Sequence, residues 1–363
     1  MSFPLPLITV SGTPAECGAA YGVAAAQLIG ANVALYLRRF QDQAGLDAAA
    51  VRAAGAGYRE ATRAHHPRIA EMLDGVAEGA GARPEELYAL NARTELIYGT
   101  RRDGGCTAAG VLDTHTANGH TLLGQNWDWH PDQREAMVVL QTRDERGHAV
   151  ITLAEAGMLA KTGLNSAGLG LCLNLLGCER DGTRAGGVPY HVLLRAVLET
   201  DYLGAALKVA CRTPRNASVN LLLGQAHEAD GGEIIDVELV PGDAGWLHPV
   251  DGVLTHANHL ETALPVHDVA KDLGGASLFR GARTRRLLAE AAAARKVTEA
   301  DLAAAFRDHA GFPMAICRHL DRRDPPLERS ETVYSVLLDL DERRFGIAPG
   351  PPCQHEYTFL TLP

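Results

Sequence analysis

One cysteine in this chain stands where a thiol could act as a nucleophile. Cys106 lies in Asp103-Gly104-Gly105-Cys106-Thr107-Ala108-Ala109-Gly110, after two glycines and before a small apolar run. Glycines at 104 and 105 remove side chains that would shield the Gly105 carbonyl, and they permit dihedrals closed to other residues. The Cys106 sulfur could attack that carbonyl and cut the Gly105–Cys106 bond. A cysteine left at a new N-terminus carries both a thiol and an α-amine, whose reference pKa of roughly 7.7–8.0 suits a base near neutrality. The plainer reading of the octapeptide is a glycine turn beside a small buried cysteine, one of seven in the chain.

Three further blocks carry groups that such a thiol would need. In Gly124-Gln125-Asn126-Trp127-Asp128-Trp129, Asp128 is a carboxylate that could hold a newly freed amine. Asn118-Gly119 upstream is a hairpin signal. Pairing of the strands on either side of it would bring Asp128 towards Cys106. An N-cap aspartate between core tryptophans is the alternative. Asn174 closes the apolar run Leu169-Gly170-Leu171-Cys172-Leu173, and Asn220 interrupts Ser218-Val219-Asn220-Leu221-Leu222-Leu223. A buried amide needs partners, so each asparagine is either structural or a donor into a cleft. Asn220 could serve an oxyanion hole. Trp127, Trp129 and Thr107 flank these groups and are candidate substrate contacts.

The elements that must position these residues change character near residue 105. Upstream, the segments read as helical. Thr13-Pro14 opens an alanine-rich helix to about Phe40, with Gly18, Gly22 and Gly30 suited to close helix contacts. Helices follow over about 46–64, 69–80 and 84–97. Downstream, short strands are predicted at 107–111, 120–126, 136–142, 149–154, 169–175, 218–223 and 233–239. Helices are predicted at 189–200, 277–294 and 298–307, then strands at 332–340, 343–347 and 357–362. Frequent hairpins without regular βαβ alternation point to mostly antiparallel sheets layered with helices. The composition shifts over Gly99 to Gly105. That divides the chain into a helical segment, 1–105, and a sheet-based segment, 106–363, within one integrated unit.

Composition narrows the function. The 363 residues are 46% hydrophobic and 21% charged, with a formal net charge of −10. No basic stripe offers itself to a phosphate backbone, so no nucleic-acid partner is expected. The N-terminus lacks a basic start and apolar run, and no apolar stretch of about 18 residues exists, so neither a signal peptide nor a membrane partner is expected. Seven scattered cysteines without a CxxC fit neither a disulfide framework nor a zinc ribbon. A cytoplasmic chain with reduced thiols is the expectation.

Together the four blocks resemble the isopenicillin N acyltransferase (acyl-coenzyme A:6-aminopenicillanic acid acyltransferase) family of N-terminal-nucleophile hydrolases, related to the choloylglycine hydrolases. The resemblance spans nearly the whole chain. It includes Gly12-Thr13-Pro14 with Gly18 and Gly22, Leu90 to Leu96, Gly105-Cys106-Thr107, Gly124 to Asp128 and Gly163 to Asn174. It continues through His256-Ala257-Asn258-His259, Ser277-x-x-Arg280-x-x-Arg283, Ile316-Cys317-Arg318-His319 and Gly350-Pro351-Pro352-Cys353. The resemblance implies an α+β fold, the four-layer αββα sandwich. It implies autocleavage at Gly105–Cys106, with Cys106 as nucleophile and Asp128 positioning its α-amine. It implies Asn220 as the oxyanion asparagine, Asn174 lining the hole, and Arg280 as a site arginine, with Arg283 as the alternative. It implies a cysteine amidohydrolase or acyltransferase acting on a small amide or thioester, without cofactor, whose two fragments stay partners. A homo-oligomer is compatible with all of this.

Rival readings remain open. His256-x-x-His259 could be a metal pair, but no Cys, Asp or Glu completes a ligand set at a familiar spacing, and no metal is expected. A papain-like Cys–His enzyme would place its cysteine at a helix N-terminus, whereas Cys106 sits at a helix-to-strand switch. Asp103-Gly104-Gly105 lacks the Lys-Ser/Thr of a phosphate loop. A non-catalytic binding protein of the same fold would stay intact and leave Cys106 inert.

Overall fold

The computed structural model describes residues 3–97, 105–182, 186–227 and 229–362. Asp103, Gly104 and most of the expected boundary loop lie outside the described residues. The chain opens with a strand, β1 (Leu7–Gly12), which the sequence reading takes as part of a helical segment. Its burial alternates, with Ile8 and Val10 turned inward. Helices α1 (Pro14–Ala24), α2 (Ala26–Ala44), α3 (Ala48–His65), α4 (Pro67–Ala80), α5 (Pro84–Asn91) and α6 (Arg93–Ile97) follow. Thr13 caps α1 in a capping box with Glu16. The single helix expected to Phe40 is broken at Ala25, where α1 and α2 meet at 84°. At Gly18 a Cβ would sit 2.0 Å from the Met72 carbonyl oxygen, so glycine there lets α1 lie against α4. Gly30, expected to act likewise, has open space around it.

The remaining elements are β2 (Gly105–Val111), β3 (Leu122–Trp129), β4 (Met137–Asp144), β5 (Ala149–Glu155), β6 (Gly163–Asn165) and β7 (Leu169–Leu175). Then come α7 (Tyr190–Leu198), α8 (Leu203–Arg212), β8 (Val219–Gln225), β9 (Glu233–Val240), β10 (Asp243–Leu247), β11 (Val253–His256) and α9 (Val269–Leu273). The chain ends with α10 (Ser277–Arg295), α11 (Glu299–Phe306), β12 (Glu331–Asp339), β13 (Arg344–Ala348) and β14 (Thr358–Thr361).

The strands form two sheets. One has eight strands in the order β1-β4-β5-β6-β7-β8-β9-β10, and the other six in the order β11-β2-β3-β12-β13-β14. The β1–β4 pairing is parallel and the others are antiparallel. A core drawn from both sheets, including Cys106, Leu123, Val139, Ile151, Cys172 and Leu222, fills the space between them. Helices α1 to α5 and α7 cover the outer face of the eight-stranded sheet through Val138, Leu140 and Ala154. Helices α10 and α11 cover the six-stranded sheet through Ala109, Val111, Leu122 and Leu337. The order helix, sheet, sheet, helix is the four-layer sandwich expected. Among the described residues no single helix is long and apolar enough to cross a membrane.

Candidate active site

Cys106 lies at the start of β2, the second strand of the six-stranded sheet, between β11 and β3. The β2–β3 register sets Gly105 opposite Asp128 and Cys106 opposite Trp127, as strand pairing across the hairpin requires. The connection is longer than a two-residue turn and includes a 3₁₀ turn at Asp113–His115, with Gly119 at φ 75°. The close fit at Gly105 is plain: a Cβ there would lie 2.8 Å from Asp128 Oδ2 and 3.2 Å from Arg280 Nη2. Only glycine lets the carboxylate and the guanidinium approach this peptide together.

The neighbouring strand supplies the next group. β11 pairs antiparallel with β2, His256 opposite Ala108, and the chain leaves it at Ala257-Asn258. Asn258 Oδ1 accepts the Cys106 backbone N–H at 2.8 Å, and Asn258 Nδ2 donates to the Leu175 carbonyl at 3.0 Å. Ser277, the first residue of α10, accepts the Asn258 N–H at 2.8 Å. One turn on, Arg280 Nη1 donates to the Cys106 carbonyl at 2.6 Å and to Thr107 Oγ1 at 2.7 Å, and its Nη2 to Asn258 Oδ1 at 2.6 Å. The spacing Ser277-x-x-Arg280 thus serves two contacts from one helix end. Arg283 turns away and pairs with Asp308 at 2.6 Å, so of the two arginines it is Arg280 that contacts Cys106. Burial lowers the Arg280 pKa to about 10, still charged at neutral pH.

Asp128 is buried, with Oδ1 accepting from Thr332 Oγ1 at 2.8 Å and Oδ2 3.5 Å from Arg318 Nε. Burial raises its pKa, while Arg318 and Arg280 act the other way. Among the described residues Oδ2 has no hydrogen-bond partner. The Cys106 thiol is raised too, by burial first and then by Asp128. The Leu175 backbone N–H, Lys161 and Arg280 oppose that rise.

The thiol side of β2 opens into a small cavity lined in part by Arg93, Trp127, Trp129, Lys161 and Tyr190. Trp127 and Trp129 stack with ring centroids 5.8 Å apart. Lys161 Nζ sits 3.2 Å from the Trp127 ring centre, and the Arg93 guanidinium 4.4 Å from that of Trp129. Both cations also meet Glu155, at 2.7 and 3.2 Å. Burial lowers the Lys161 pKa, against the pull of Glu155. No histidine lines the cavity among the described residues, which removes the Cys–His reading at this thiol.

The two tryptophans therefore stand where substrate contacts were expected. Thr107 does not: its hydroxyl faces the other side of β2 and accepts from Arg280. Asn174 and Asn220 face each other on β7 and β8. Asn220 Nδ2 spends both hydrogens, on Asn174 Oδ1 at 3.2 Å and on Asp236 Oδ1 at 2.7 Å. Asn174 Nδ2 donates to the His256 carbonyl at 3.4 Å. Whereas Asn220 is held at Asn174 and Asp236, Asn258 contacts the Cys106 backbone. Its only sequence signal is the His256 to His259 block. The two histidines there have separate partners: His256 Nε2 meets Glu238 at 2.8 Å, and His259 Nδ1 meets Ser277 at 2.9 Å. Lys161, Arg93 and Arg318 are also brought to the site by folding alone.

The chain is similar to known proteins over most of its length. The sequence pattern described as acyl-coenzyme A:6-aminopenicillanic acid acyl-transferase matches residues 114–352. The 40 kDa form of acyl-coenzyme A:6-aminopenicillanic-acid-acyltransferase from Emericella nidulans is 28% identical over 358 residues, covering 97% of this chain and 95% of that one. Among solved structures, penicillin V acylase from Agrobacterium tumefaciens is similar with 15% identity and a TM-score of 0.48, over 71% of this chain and 86% of that one. A mutant conjugated bile acid hydrolase from Clostridium perfringens is similar with 12% identity and a TM-score of 0.47, over 70% and 96%. The chain belongs to the acyl-coenzyme A:6-aminopenicillanic acid acyl-transferase family of enzymes.

Proposed function

We propose that the chain cuts itself at Gly105–Cys106 and then acts as a cysteine amidohydrolase or acyltransferase on small amides or thioesters. One observation carries this: Gly105 faces Asp128, while Asn258 and Arg280 grip the backbone of Cys106. In processing, Cys106 Sγ attacks the Gly105 carbonyl carbon, the C–N bond breaks, and the thiol proton ends on the departing amine. Water then hydrolyses the thioester, returning the thiol and leaving Gly105 as a carboxylate. Removal of Gly105 would give the new ammonium access to Asp128 Oδ2, the oxygen without a hydrogen bond among the described residues.

In turnover the amine takes the thiol proton as Sγ attacks the substrate carbonyl. The raised thiol pKa makes that transfer part of the attack. The Leu175 N–H, which faces the Cys106 sulfur, and Asn258 Nδ2 would serve as oxyanion donors, and such a donor is worth roughly 3–4 kcal/mol. The amine then protonates the leaving group, and water or an acceptor amine resolves the acyl-enzyme. The stacked tryptophans with cations on their faces support a flat or apolar substrate that also carries negative charge, as amino-acid and peptide-like amides do.

Intact-mass spectrometry tests processing. Wild type should give fragments 1–105 and 106–363, and Cys106→Ala a single chain. Two fragments from the alanine variant would sink the processing claim. A panel of amides and thioesters, with Cys106→Ala as the blank, tests catalysis; turnover equal to the blank on every member would remove the enzymatic reading of Cys106.

A further inference from the structure

Four metal-binding side chains converge at a place the active site does not use. His309, Cys317 and His319 come from the connection between α11 and β12, and Cys353 from that between β13 and β14. Their ligand atoms all lie within 4.8 Å of one another. His319 Nε2 is 3.1 Å from His309 Nε2, 3.6 Å from Cys317 Sγ and 3.4 Å from Cys353 Sγ. Around a tetrahedral zinc ion, bond lengths of about 2.0–2.1 Å to nitrogen and about 2.3 Å to sulfur space the ligands by about 3.3 Å (N to N) and about 3.6 Å (N to S). The three edges from His319 match.

Hydrogen bonding alone does not account for the cluster. An imidazole nitrogen has one lone pair or one N–H. Here three neighbours crowd a single nitrogen at contact distance. An ion at the centre satisfies all four atoms at once.

We propose that His309, Cys317, His319 and Cys353 bind one zinc ion, which pins this connection and holds Arg318 at Asp128. Two thiolates and two imidazoles favour zinc among common divalent ions, and four protein ligands make a closed, structural site. Binding releases the two thiol protons to solvent. The frame is braced beforehand. The Cys317 N–H donates to the Asp308 carbonyl at 3.0 Å, the His319 N–H to that of Pro313 at 3.0 Å, and Arg307 Nε to that of Pro352 at 2.8 Å. The Cys353 backbone N–H faces the Cys317 sulfur, where it would support a thiolate.

The position gives the ion a purpose. Between Phe306 and Glu331 the chain forms no helix or strand, so its course depends on local contacts such as these rather than on a ladder or helix. Arg318 stands between two of the ligands. Its N–H donates to Thr332 Oγ1 at 3.0 Å, Nη1 donates to Ser330 Oγ at 2.8 Å, and Nε lies 3.5 Å from Asp128 Oδ2. Arg318 is a positioning residue on this account, and the ion acts through it.

The test is metal content, which does not depend on whether Cys106 is a nucleophile. The full-length Cys106→Ala chain and the wild type, incubated with zinc and dialysed, should each retain about one zinc per chain. Cobalt(II) in its place should show the absorption of tetrahedral thiolate-bound cobalt. His309→Gln removes an exposed ligand and should weaken zinc binding more than about 100-fold, the upper range for losing a mere supporting group. Cys211→Ser, an exposed cysteine elsewhere, should leave it unchanged. Less than a tenth of an equivalent of zinc in the wild type, undiminished zinc in His309→Gln, or a Cys317–Cys353 disulfide on peptide mapping would each overturn the proposal.

Discussion

Both sheets bring buried polar side chains to the middle of the sandwich, but among the described residues those bonded to the Cys106 backbone come from the six-stranded side. On the eight-stranded sheet, Asn174 and Asn220 hydrogen-bond to each other, to Asp236 and to the His256 carbonyl. On the six-stranded side, Asn258, Arg280 and Asp128 surround the backbone on either side of Cys106. The residue types are alike. What separates them is the atom each one reaches. A strand asparagine that satisfies its neighbours is sheet glue, whereas an asparagine just past a strand end is free to meet the next strand's backbone.

The largest effect should come from Arg280→Ala. It strips partners from the Cys106 carbonyl, Thr107 and Asn258 in a buried place, at a cost of about 3–5 kcal/mol by thermal or denaturant unfolding. Processing should fail with it. Arg283→Ala, which loses a partly exposed pair, should cost less than about 1 kcal/mol. Equal losses would erase the distinction drawn between the two arginines.

Next, Asn258→Ala should lower turnover roughly 100–1000-fold, as removal of an oxyanion donor does. Asn220→Ala should spare turnover and instead lower stability by about 1–3 kcal/mol, because Asp236 loses its partner. Steady-state rates beside melting curves separate the two. If Asn220→Ala suffers the greater loss of turnover, the assignment reverses.

A smaller effect concerns pH. Burial disfavours charge on His256, but Glu238 and Asp236 outweigh it and push its pKa up to about 9. The folded value lies above the ordinary one of about 6.5, so the stabilisation is full below pH 6.5 and is lost as pH rises through 9. The loss should be at most about 3 kcal/mol. Unfolding free energies at pH 6 and 9 should differ in wild type, and His256→Gln should flatten that difference. An unchanged slope would mean that His256 is neutral in the fold.

Several of these features are legible in the sequence because they depend on short-range order. The β2–β3 register follows from one hairpin, and it delivers Asp128 to Gly105. The packing of Gly18 against α4 follows from helix periodicity. Asn258 is not legible, since its role exists only because β11 pairs with β2, far away in the chain. No strand is predicted from the sequence between 239 and 332, yet β11 begins at Val253. Thr107 follows the nucleophile in sequence, but strand alternation turns it to the opposite face. The Cys/His cluster escapes for the same reason as Asn258. Cys317 and His319 are adjacent in a familiar way, but His309 and Cys353 join them only after two connections have folded together.

The pairing of β1 with β4 bears on what a cut at Gly105 would mean. Leu7 to Gly12 runs alongside Val139 to Asp144 as the outermost strand of the larger sheet. The segment before the cut is thus woven into the sheet through β1 and could not be discarded like a cover. Their loss would bare the hydrogen-bonding rim of β4 and invite other chains to add to it. Cleavage would turn one molecule into two that cannot part, and the shorter chain would serve as a permanent selvedge against aggregation.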